Sequence, residues 1–405
     1  MLKSANLRYK SGAVFYPFRQ DSNFLYLTGF LEQDSLAVIQ KTGPALGDYV
    51  FHLFCRPKDP HAEMWSGPWS GLQAARDVFN ADEAGDINRI DTLLPPILRG
   101  ASRIYTDMPD SEIAALTTVK SSTLTLNLGG YSKPSTHKLG PLIHAQRAIK
   151  SPAEIANMRH AGRVSGRALT NAMRRQWSFE KDLHAYLDYE FTRDGCSGPA
   201  YVPVVAGASR GNLIHYVHNC AALREGETVL VDAGGEYGTY ETDISRTWPI
   251  SGKFSPAQKD LYEAVLRVQR MGVSMVREDK GTGAGPSLDK IHHATVKALK
   301  EELVQLGFDI SGGVFSEQLF PHHVGHYVGL DVHDVPGYSR AIPLRKGHCV
   351  TIEPGLYVPD DERFPKHFRG LAVRIEDSVC CDGENPLVLT TEAVKEVVDI
   401  EALRS

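Results

Sequence analysis

The sequence predicts two domains: a smaller α/β domain over residues 1–148, and a larger α+β domain over residues 149–405 that contains an internal pseudo-twofold duplication. Three observations lead to this fold class. A chain of 405 residues exceeds the size that one ordinary hydrophobic core serves. A strong helix-start signal stands at Ser151, and a segment in the first half of the larger domain recurs in its second half.

The composition argues against several classes of function. Apolar residues make up 42% and charged residues 23% of the chain, which is typical of a folded globular protein. The net charge of −5 argues against a nucleic-acid partner held by bulk electrostatics. No apolar run reaches the roughly 20 residues that span a bilayer. The six cysteines form no Cys-x-x-Cys pair, so we expect free thiols and a reducing compartment.

In the smaller domain, short apolar runs alternate with polar stretches. Residues 36–40 (LAVIQ) and 49–54 (YVFHLF) are rich in apolar β-branched and aromatic side chains, which favours buried strands. Residues 70–79 (SGLQAARDVF) have the apolar spacing of a helix. No cluster of catalytic residue types stands out here, so the larger domain is the expected place of the function.

Two helix-start signals divide the larger domain into halves. Each has serine, then proline, and two residues later an acid or amide, as in Ser151-Pro152-Ala153-Glu154 and again in Ser255-Pro256-Ala257-Gln258. The serine can cap the helix, proline fits its first turn, and the third helical residue closes a capping box. The pattern predicts helices from 152 to about 175, over about 179–193, from 256 to about 277 and from about 287, with strand-like segments over 201–248 and about 320–379.

The halves also match locally in sequence. REGETVLVDAGGEY (224–237) aligns with RKGHCVTIEPGLYV (345–358) at a constant offset of 121 positions. The alignment places Asp232 on Glu353, a carboxylate at the same strand end in each half. We interpret this match as a duplication, which would bring two equivalent strand ends together at a pseudo-twofold axis.

Four acids abut apolar, largely β-branched runs that would otherwise be core: Asp232, Asp243, Glu353 and Glu376. Leaving such carboxylates buried without a partner is too costly, so they need cations. Two explanations compete. One is an internal salt-bridge network with the nearby Arg246 and Arg374, and the other is a metal centre.

His326 favours the metal centre. Four carboxylates and one neutral imidazole carry four negative charges, which two divalent ions neutralise. Oxygen ligands with a single histidine suit Mn²⁺, with Zn²⁺ and Co²⁺ as alternatives. Two ions that share carboxylates can activate a water molecule, polarise a carbonyl and anchor a free amine, which is the chemistry of a two-metal aminopeptidase. A nearby histidine would then stabilise the tetrahedral intermediate, and the candidates are His215, His322 and His333.

Five segments of the larger domain resemble the motif series of the pita-bread metallopeptidases, which share the creatinase/aminopeptidase fold. They are IHY (214–216), DAGGEYGTYETDISRTW (232–248), HHVGHYVGLDVHD (322–334), TIEPGLY (351–357) and VRIEDS (373–378). The segments FRQDSNFLYLTGF (18–30) and FCRPKDPHAEMWSG (54–67) are similar to the N-terminal domain of the aminopeptidase P branch. The likeness covers nearly the whole chain and is greatest to the eukaryotic mitochondrial group of that branch.

The resemblance implies a role for each matching position. Asp243 and Glu376 would bridge two metal ions; Asp232 would complete one site, and His326 with Glu353 the other. Glu353 would also act as general base. His215 and His333 would steady the substrate carbonyl and the tetrahedral intermediate. His322 would line the pocket beyond the scissile bond, and Arg374 would support the ligands. His322, His333 and Arg374 are thus the substrate-binding candidates.

The implied function is hydrolysis of the first peptide bond of a peptide or protein. The leaving residue would precede proline, or would be a single bulky residue on an imported mitochondrial protein. The alternatives are a dipeptidase acting on Xaa-Pro and, in another class, a non-catalytic peptide-binding module on the same fold. The resemblance also implies a homodimer and a mitochondrial location, with the cytoplasm as the alternative. The first strand of the N-terminal domain and any mitochondrial presequence are expected to be shortened or missing.

Overall fold

The computed structural model describes residues 1–117, 135–311 and 313–404, which form two compact units, 1–143 and 144–405. The sequence placed the boundary after residue 148, and the contacts place it between Ile143 and His144. All six cysteines are free thiols. Among the described residues, no helix is both long enough and apolar enough to cross a membrane.

The first unit is an α/β domain. Its strands are β1 (Leu2–Lys3), β2 (Tyr9–Ser11), β3 (Val14–Phe15), β4 (Leu36–Lys41), β5 (Tyr49–Cys55), β6 (Glu83–Asp86), β7 (Arg103–Tyr105) and β8 (Ser135–His137). Its helices are α1 (Ser22–Thr28), α2 (Pro60–Ser66), α3 (Gly71–Asp77), α4 (Ile90–Leu98), α5 (Asp110–Thr117) and α6 (Gly140–Arg147), the last of which runs across the boundary. The main sheet has the order β1-β4-β5-β6, with β6 parallel to β5 and the other pairs antiparallel. The predicted strands correspond to β4 and β5, and the predicted helix to α3.

The second unit is an α+β domain in two halves. Its helices are α7 (Pro152–Met173), α8 (Glu180–Arg193), α9 (Pro256–Ser274), α10 (Leu288–Gln305) and α11 (Val397–Ala402). Its strands are β9 (Gly198–Pro199), β10 (Val204–Gly207), β11 (Thr228–Asp232), β12 (Gly235–Tyr237), β13 (Tyr240–Glu241), β14 (Ser245–Pro249), β15 (Cys349–Ile352), β16 (Gly355–Tyr357), β17 (Ala372–Arg374), β18 (Asp377–Asp382) and β19 (Asn385–Val388).

Each half begins with a helix pair and continues into antiparallel strands. Both predicted capping boxes form, at Ser151 with Glu154 and at Ser255 with Gln258. Strand β11 pairs with β10 and β14 in the first half, and β18 pairs with β15 and β19 in the second. One large cluster of buried apolar side chains from both halves forms the core, with α7, α9 and α10 packed on the strands.

Strand-like structure was predicted over about 320–379, and this prediction was wrong for residues 321–348. Residues 321–348 are irregular apart from two isolated bridges, one between Tyr327 and Val350 and one between His348 and Ile149. The alternating valines suggested a strand, but the segment follows β15 through separate hydrogen bonds, such as Thr351 N to His326 O at 2.8 Å and Glu353 N to Val324 O at 2.8 Å.

A buried ion cluster ties this irregular segment to the residues before α7. Lys150 Nζ donates to Asp334 Oδ2 at 2.8 Å, and both side chains are 1% exposed. Arg147 donates to the other oxygen of Asp334 and, at 2.7 Å, to Asp331 Oδ2. Because Asp334 directly follows His333, the cluster holds the backbone beside a candidate catalytic residue.

Replacing Lys150 should therefore destabilise the second unit strongly. Lys150→Met leaves the buried Asp334 with one cationic partner fewer, and we expect a loss of about 3 kcal/mol in the free energy of unfolding. Urea unfolding followed by tryptophan fluorescence measures it. The matched control is Lys280→Met, because Lys280 pairs with Glu384 at 2.7 Å where both side chains are more than three-quarters exposed. Its expected loss is much smaller, because an exposed ion pair contributes little to stability, and equal losses in the two variants would contradict a stabilising role of the buried cluster.

Candidate metal centre

The four acids lie at the ends of equivalent strands. Asp232 ends β11, and Glu353 directly follows β15. Asp243 precedes β14 by two residues and Glu376 precedes β18 by one, and these two strands pair antiparallel with β11 and β15. Each strand pair thus presents one carboxylate at the end of its outgoing strand and one just before its return strand. The repeat predicted the equivalence of the outgoing acids, Asp232 and Glu353, and did not extend to Asp243 and Glu376.

Two serines connect the return strands of the halves. Ser245 Oγ donates to Glu376 Oε2 at 2.7 Å, and Glu376 N donates to Ser245 O at 3.0 Å. In the reciprocal arrangement, Asp243 N donates to Ser378 Oγ at 3.1 Å, and Ser378 Oγ donates to Asp243 O at 3.0 Å. Each serine stands two positions after the acid of its own half, so the duplicated strands hold Asp243 and Glu376 side by side.

His326 enters this group from the irregular segment. Its backbone N donates to Thr351 Oγ1 at 3.1 Å, and its Nδ1 donates to Tyr327 O at 3.0 Å. The other ring nitrogen, Nε2, lies 3.5 Å from Asp243 Oδ2 and 3.6 Å from Glu353 Oε1. A backbone carbonyl that holds one ring nitrogen leaves the other free to bind a metal ion.

Two glycines allow the backbone to approach closely enough for this arrangement. A Cβ on Gly325, beside His326, would lie 1.9 Å from the carbonyl oxygen of Thr351. A Cβ on Gly234, two residues after Asp232, would lie 1.8 Å from the carbonyl oxygen of Thr242. No side chain fits at either position unless the backbone moves.

The electrostatics of the group show a shortage of positive charge. Burial and the neighbouring carboxylates raise the pKa of Glu376 well above its usual range, and burial with the charge of Asp243 raises the pKa of Asp232 to about 7. Burial also raises the pKa of Glu353. Burial alone would lower the pKa of His326, but its contact with Asp243 and the charge of Glu353 raise it to about 9.

The two arginines do not supply the missing charge. Of the lysines and arginines in the described residues, only Arg374 forms an ion pair with one of the four acids, donating to Asp232 Oδ2 at 2.6 Å. Arg246 is fully buried and pairs with Asp377 instead, at 2.7 Å. Within the described residues, the salt-bridge alternative therefore provides no lysine or arginine for Asp243, Glu353 or Glu376.

Arg374 also begins a chain of hydrogen bonds that ends at His322. Its Nη1 donates to Tyr357 Oη at 2.9 Å, and Tyr357 Oη lies 2.8 Å from His322 Nε2. His322 Nδ1 lies 2.8 Å from His323 O and must donate to it, so Tyr357 is the donor to Nε2. Burial lowers the pKa of His322 to about 3, so the ring is neutral. Because the guanidinium of Arg374 is 2% exposed, its position supports the site rather than offering a group to substrate.

The other candidate histidines lie towards solvent. His333 is exposed, and its ring packs edge-to-face on His326 with centroids 4.4 Å apart. His215 is exposed on the segment after β10, close enough for its charge to lower the pKa of His333, after the larger effects of burial and of His326. Exposed imidazoles above buried carboxylates are the arrangement that a substrate entering from solvent would meet.

The donor set fits divalent cations. Ligand atoms of Asp243, His326 and Glu376 all lie within 4.8 Å of one another. Glu376 Oε1 is buried and, among the described residues, finds no hydrogen-bond partner. Carboxylate oxygens with one imidazole are ligands for a hard or borderline divalent ion, so a cation in this group would satisfy the Glu376 oxygen and the excess negative charge together.

Sequence reasoning missed several supporting residues. Tyr201 donates its hydroxyl to Asp232 Oδ1 at 2.5 Å and also contacts Asp243 Oδ1, yet no local pattern marks it. Ser245 and Ser378 form their bonds more than 130 positions away along the chain. Tyr357 was within reach of sequence reasoning, since it ends the quoted segment TIEPGLY.

A duplicated α+β fold with buried carboxylates and one imidazole at its centre defines a metal-dependent hydrolase. Comparison with known proteins agrees. Residues 156–382 match the profile of "Metallopeptidase family M24", and residues 1–105 match "Aminopeptidase P, N-terminal domain". Intermediate cleaving peptidase 55 of Saccharomyces cerevisiae is 42% identical, over 99% of this chain and 79% of the relative. Xaa-Pro aminopeptidase 3 of Mus musculus is 38% identical, over 98% of this chain and 79% of the relative.

The crystal structure of Icp55 from Saccharomyces cerevisiae, lacking its N-terminal 58 residues, superimposes with a TM-score of 0.89 at 39% identity. The superposition covers 99% of this chain and 91% of the yeast chain. The chain belongs to metallopeptidase family M24, and it is a metal-dependent aminopeptidase. The predicted pita-bread fold and the resemblance to the aminopeptidase P branch are confirmed.

Filling the space beside His326 should inactivate the enzyme. In Gly325→Ala the added Cβ collides with the Thr351 carbonyl and displaces His326, and a displacement of about 1 Å lowers catalysis on the order of 100-fold. The measurement is kcat/KM on a peptide substrate, together with bound metal. The matched control is Gly47→Ala, where the added Cβ meets no atom within 4 Å. Wild-type activity in Gly325→Ala would refute the proposed importance of this close approach.

Proposed function

We propose that Asp232, Asp243, His326, Glu353 and Glu376 hold two divalent ions, with Mn²⁺ as the preferred metal and Zn²⁺ or Co²⁺ as alternatives. Asp243 and Glu376 would be shared between the ions, because the reciprocal serine bonds hold them together at the junction of the two halves. The observation that carries the proposal is the buried Glu376 oxygen, which has no hydrogen-bond partner in the described residues and lies among three further carboxylates.

The ions, when bound, supply Lewis acidity and make water more acidic. Glu353 is the proposed general base. Its side chain is 17% exposed, whereas that of Asp243 is 8% exposed and Glu376 is almost fully buried. It is therefore one of the few acids in the group that a solvent molecule can reach. Its Oε1 faces His326 Nε2 and its Oε2 lies 3.8 Å from His322 Nδ1.

The three remaining histidines would handle the substrate. His215 and His333 present exposed imidazoles at the opening, where they can donate to a carbonyl oxygen as negative charge develops on it. His322 is held neutral and in one orientation by Tyr357 and the His323 carbonyl, which suits a wall of the pocket beyond the scissile bond. Arg374 would fix Asp232 and Tyr357 without touching substrate.

The proposed reaction is removal of one N-terminal residue from a polypeptide, with the free amine as the recognition group. Two specificities compete: a bulky first residue, or any residue before proline. We favour the bulky residue, because the relative with the higher identity over almost the whole chain is named an intermediate cleaving peptidase.

A panel of peptides separates these specificities. We expect kcat/KM on octapeptides beginning with Tyr, Leu or Phe to exceed that on Xaa-Pro octapeptides by roughly tenfold or more. A pocket that fits one class of side chain discriminates against another by about this factor. The reverse order would establish the Xaa-Pro specificity. Cleavage confined to Xaa-Pro dipeptides would identify a dipeptidase, and inactivity on all the peptides after Mn²⁺ addition would favour a non-catalytic binding module.

A mitochondrial location and a homodimeric state are part of the proposal, on the strength of the resemblance to the mitochondrial group of the branch. Protease protection of the endogenous protein in isolated mitochondria tests the location. Sedimentation equilibrium tests the assembly, for which we expect twice the chain mass of 44.6 kDa. A monomer at micromolar concentration would contradict the dimer.

A further inference from the structure

The segment that carries His215 is an irregular loop with an unfavourable backbone. This His215 loop comprises residues 207–222, from the last residue of β10 to the approach to β11. It starts with the short 3₁₀ turn Ala208–Asn212. Ala208 and Asn219 have positive φ values of 53° and 47°, which cost free energy in residues other than glycine and persist only where the surroundings hold them. The loop therefore needs an anchor.

That anchor is the carboxylate of Glu180, the first residue of α8. Its Oε1 accepts from Gly207 N at 2.9 Å and from Arg210 Nε at 2.7 Å. Its Oε2 accepts from Tyr216 Oη at 2.8 Å and from Ala221 N at 2.8 Å. All four donors belong to the His215 loop, and they include its first residue and its last but one.

These four hydrogen bonds are important for stability because Glu180 is buried. The residue is fully buried, and a buried carboxylate is tolerated only when its oxygens are hydrogen-bonded and its charge is compensated. Four donors and the guanidinium of Arg210 meet both requirements. Because hydrogen bonds to a charged acceptor are stronger than neutral ones, this single side chain joins both ends of the loop to α8.

The link to the active site runs through the neighbours of His215. Tyr216, the next residue, is bonded to Glu180, and its ring packs with Ile214 on a small apolar cluster. That cluster contains Tyr357, the residue that orients His322. Both neighbours of His215 are thus held while its own imidazole stays exposed.

We infer that Glu180 is a positioning residue for the reaction: its buried carboxylate holds the His215 loop so that His215 faces the substrate. The inference rests on the role proposed above for His215. Glu180 itself touches neither substrate nor metal, so its removal should change the position and mobility of the loop and leave the metal ligands in place.

Hydrogen exchange tests the anchoring without using activity. Glu180→Gln keeps the shape of the side chain but turns one acceptor into an NH₂ group that faces N–H or O–H donors. In the Mn²⁺-loaded full chain, we expect amides of residues 208–221 to exchange roughly tenfold faster or more, with bound metal unchanged. Glu190→Gln is the matched control: Glu190 is a buried carboxylate on the same helix, but it pairs with Arg193 at 2.7 Å. Its variant should leave exchange in the loop unchanged.

Kinetic coupling tests the link to His215. Glu180→Gln should lower kcat about tenfold or more with little change in KM, and Tyr216→Phe, which removes one bond of the four, should lower kcat less. In a His215→Ala background, Glu180→Gln should lower kcat by less than about twofold further, because the group that it positions is gone.

Either of two results would overturn the inference: unchanged exchange in the loop of Glu180→Gln, or the same loss of kcat in both backgrounds. A wild-type chain that cleaves no N-terminal bond would contradict the proposed function instead, and the exchange measurement would still decide whether Glu180 anchors the loop.

Discussion

The second unit is organised around four carboxylates that are largely buried with too little positive charge. One arginine pairs with Asp232, and among the described residues no lysine or arginine pairs with Asp243, Glu353 or Glu376. Such a group is too costly for a purely structural core unless its charge is neutralised, and this requirement is the physical basis of the proposed metal centre. Other features serve this requirement: a histidine with one nitrogen fixed by a backbone carbonyl, and two glycines without room for a side chain.

Duplication explains how one chain builds such a group. Each half supplies an outgoing strand ending at an acid and a return strand beginning near another. The two return strands then bond to each other through Ser245 and Ser378. The carboxylates lie at the ends of strands, whereas the histidines that would contact substrate lie on irregular segments. Those segments are held by separate buried ions, Asp334 beside His333 and Glu180 beneath His215.

Local signals in the sequence predicted much of this structure. Both capping boxes were readable because their partners lie three positions apart, and the repeat showed that Asp232 and Glu353 end equivalent strands. The irregular path of the segment around His326 was not readable, since its valines alternate as in a strand while contacts of Gly325 with a distant strand decide its course. Tyr201 and Glu180 were missed for the same reason. Their hydrogen-bond partners lie about 30 or more positions away, and no local residue pattern indicates these contacts.

The most direct test of the account is the metal content of the full chain after equilibrium dialysis against Mn²⁺, measured by atomic emission. We expect two ions per wild-type chain. We expect fewer than one ion in Glu376→Gln and the wild-type content in the control Glu190→Gln, whose carboxylate is buried away from the centre on α8. Less than one ion in the wild-type chain, or two ions in Glu376→Gln, would contradict the claim that these carboxylates form a two-metal centre.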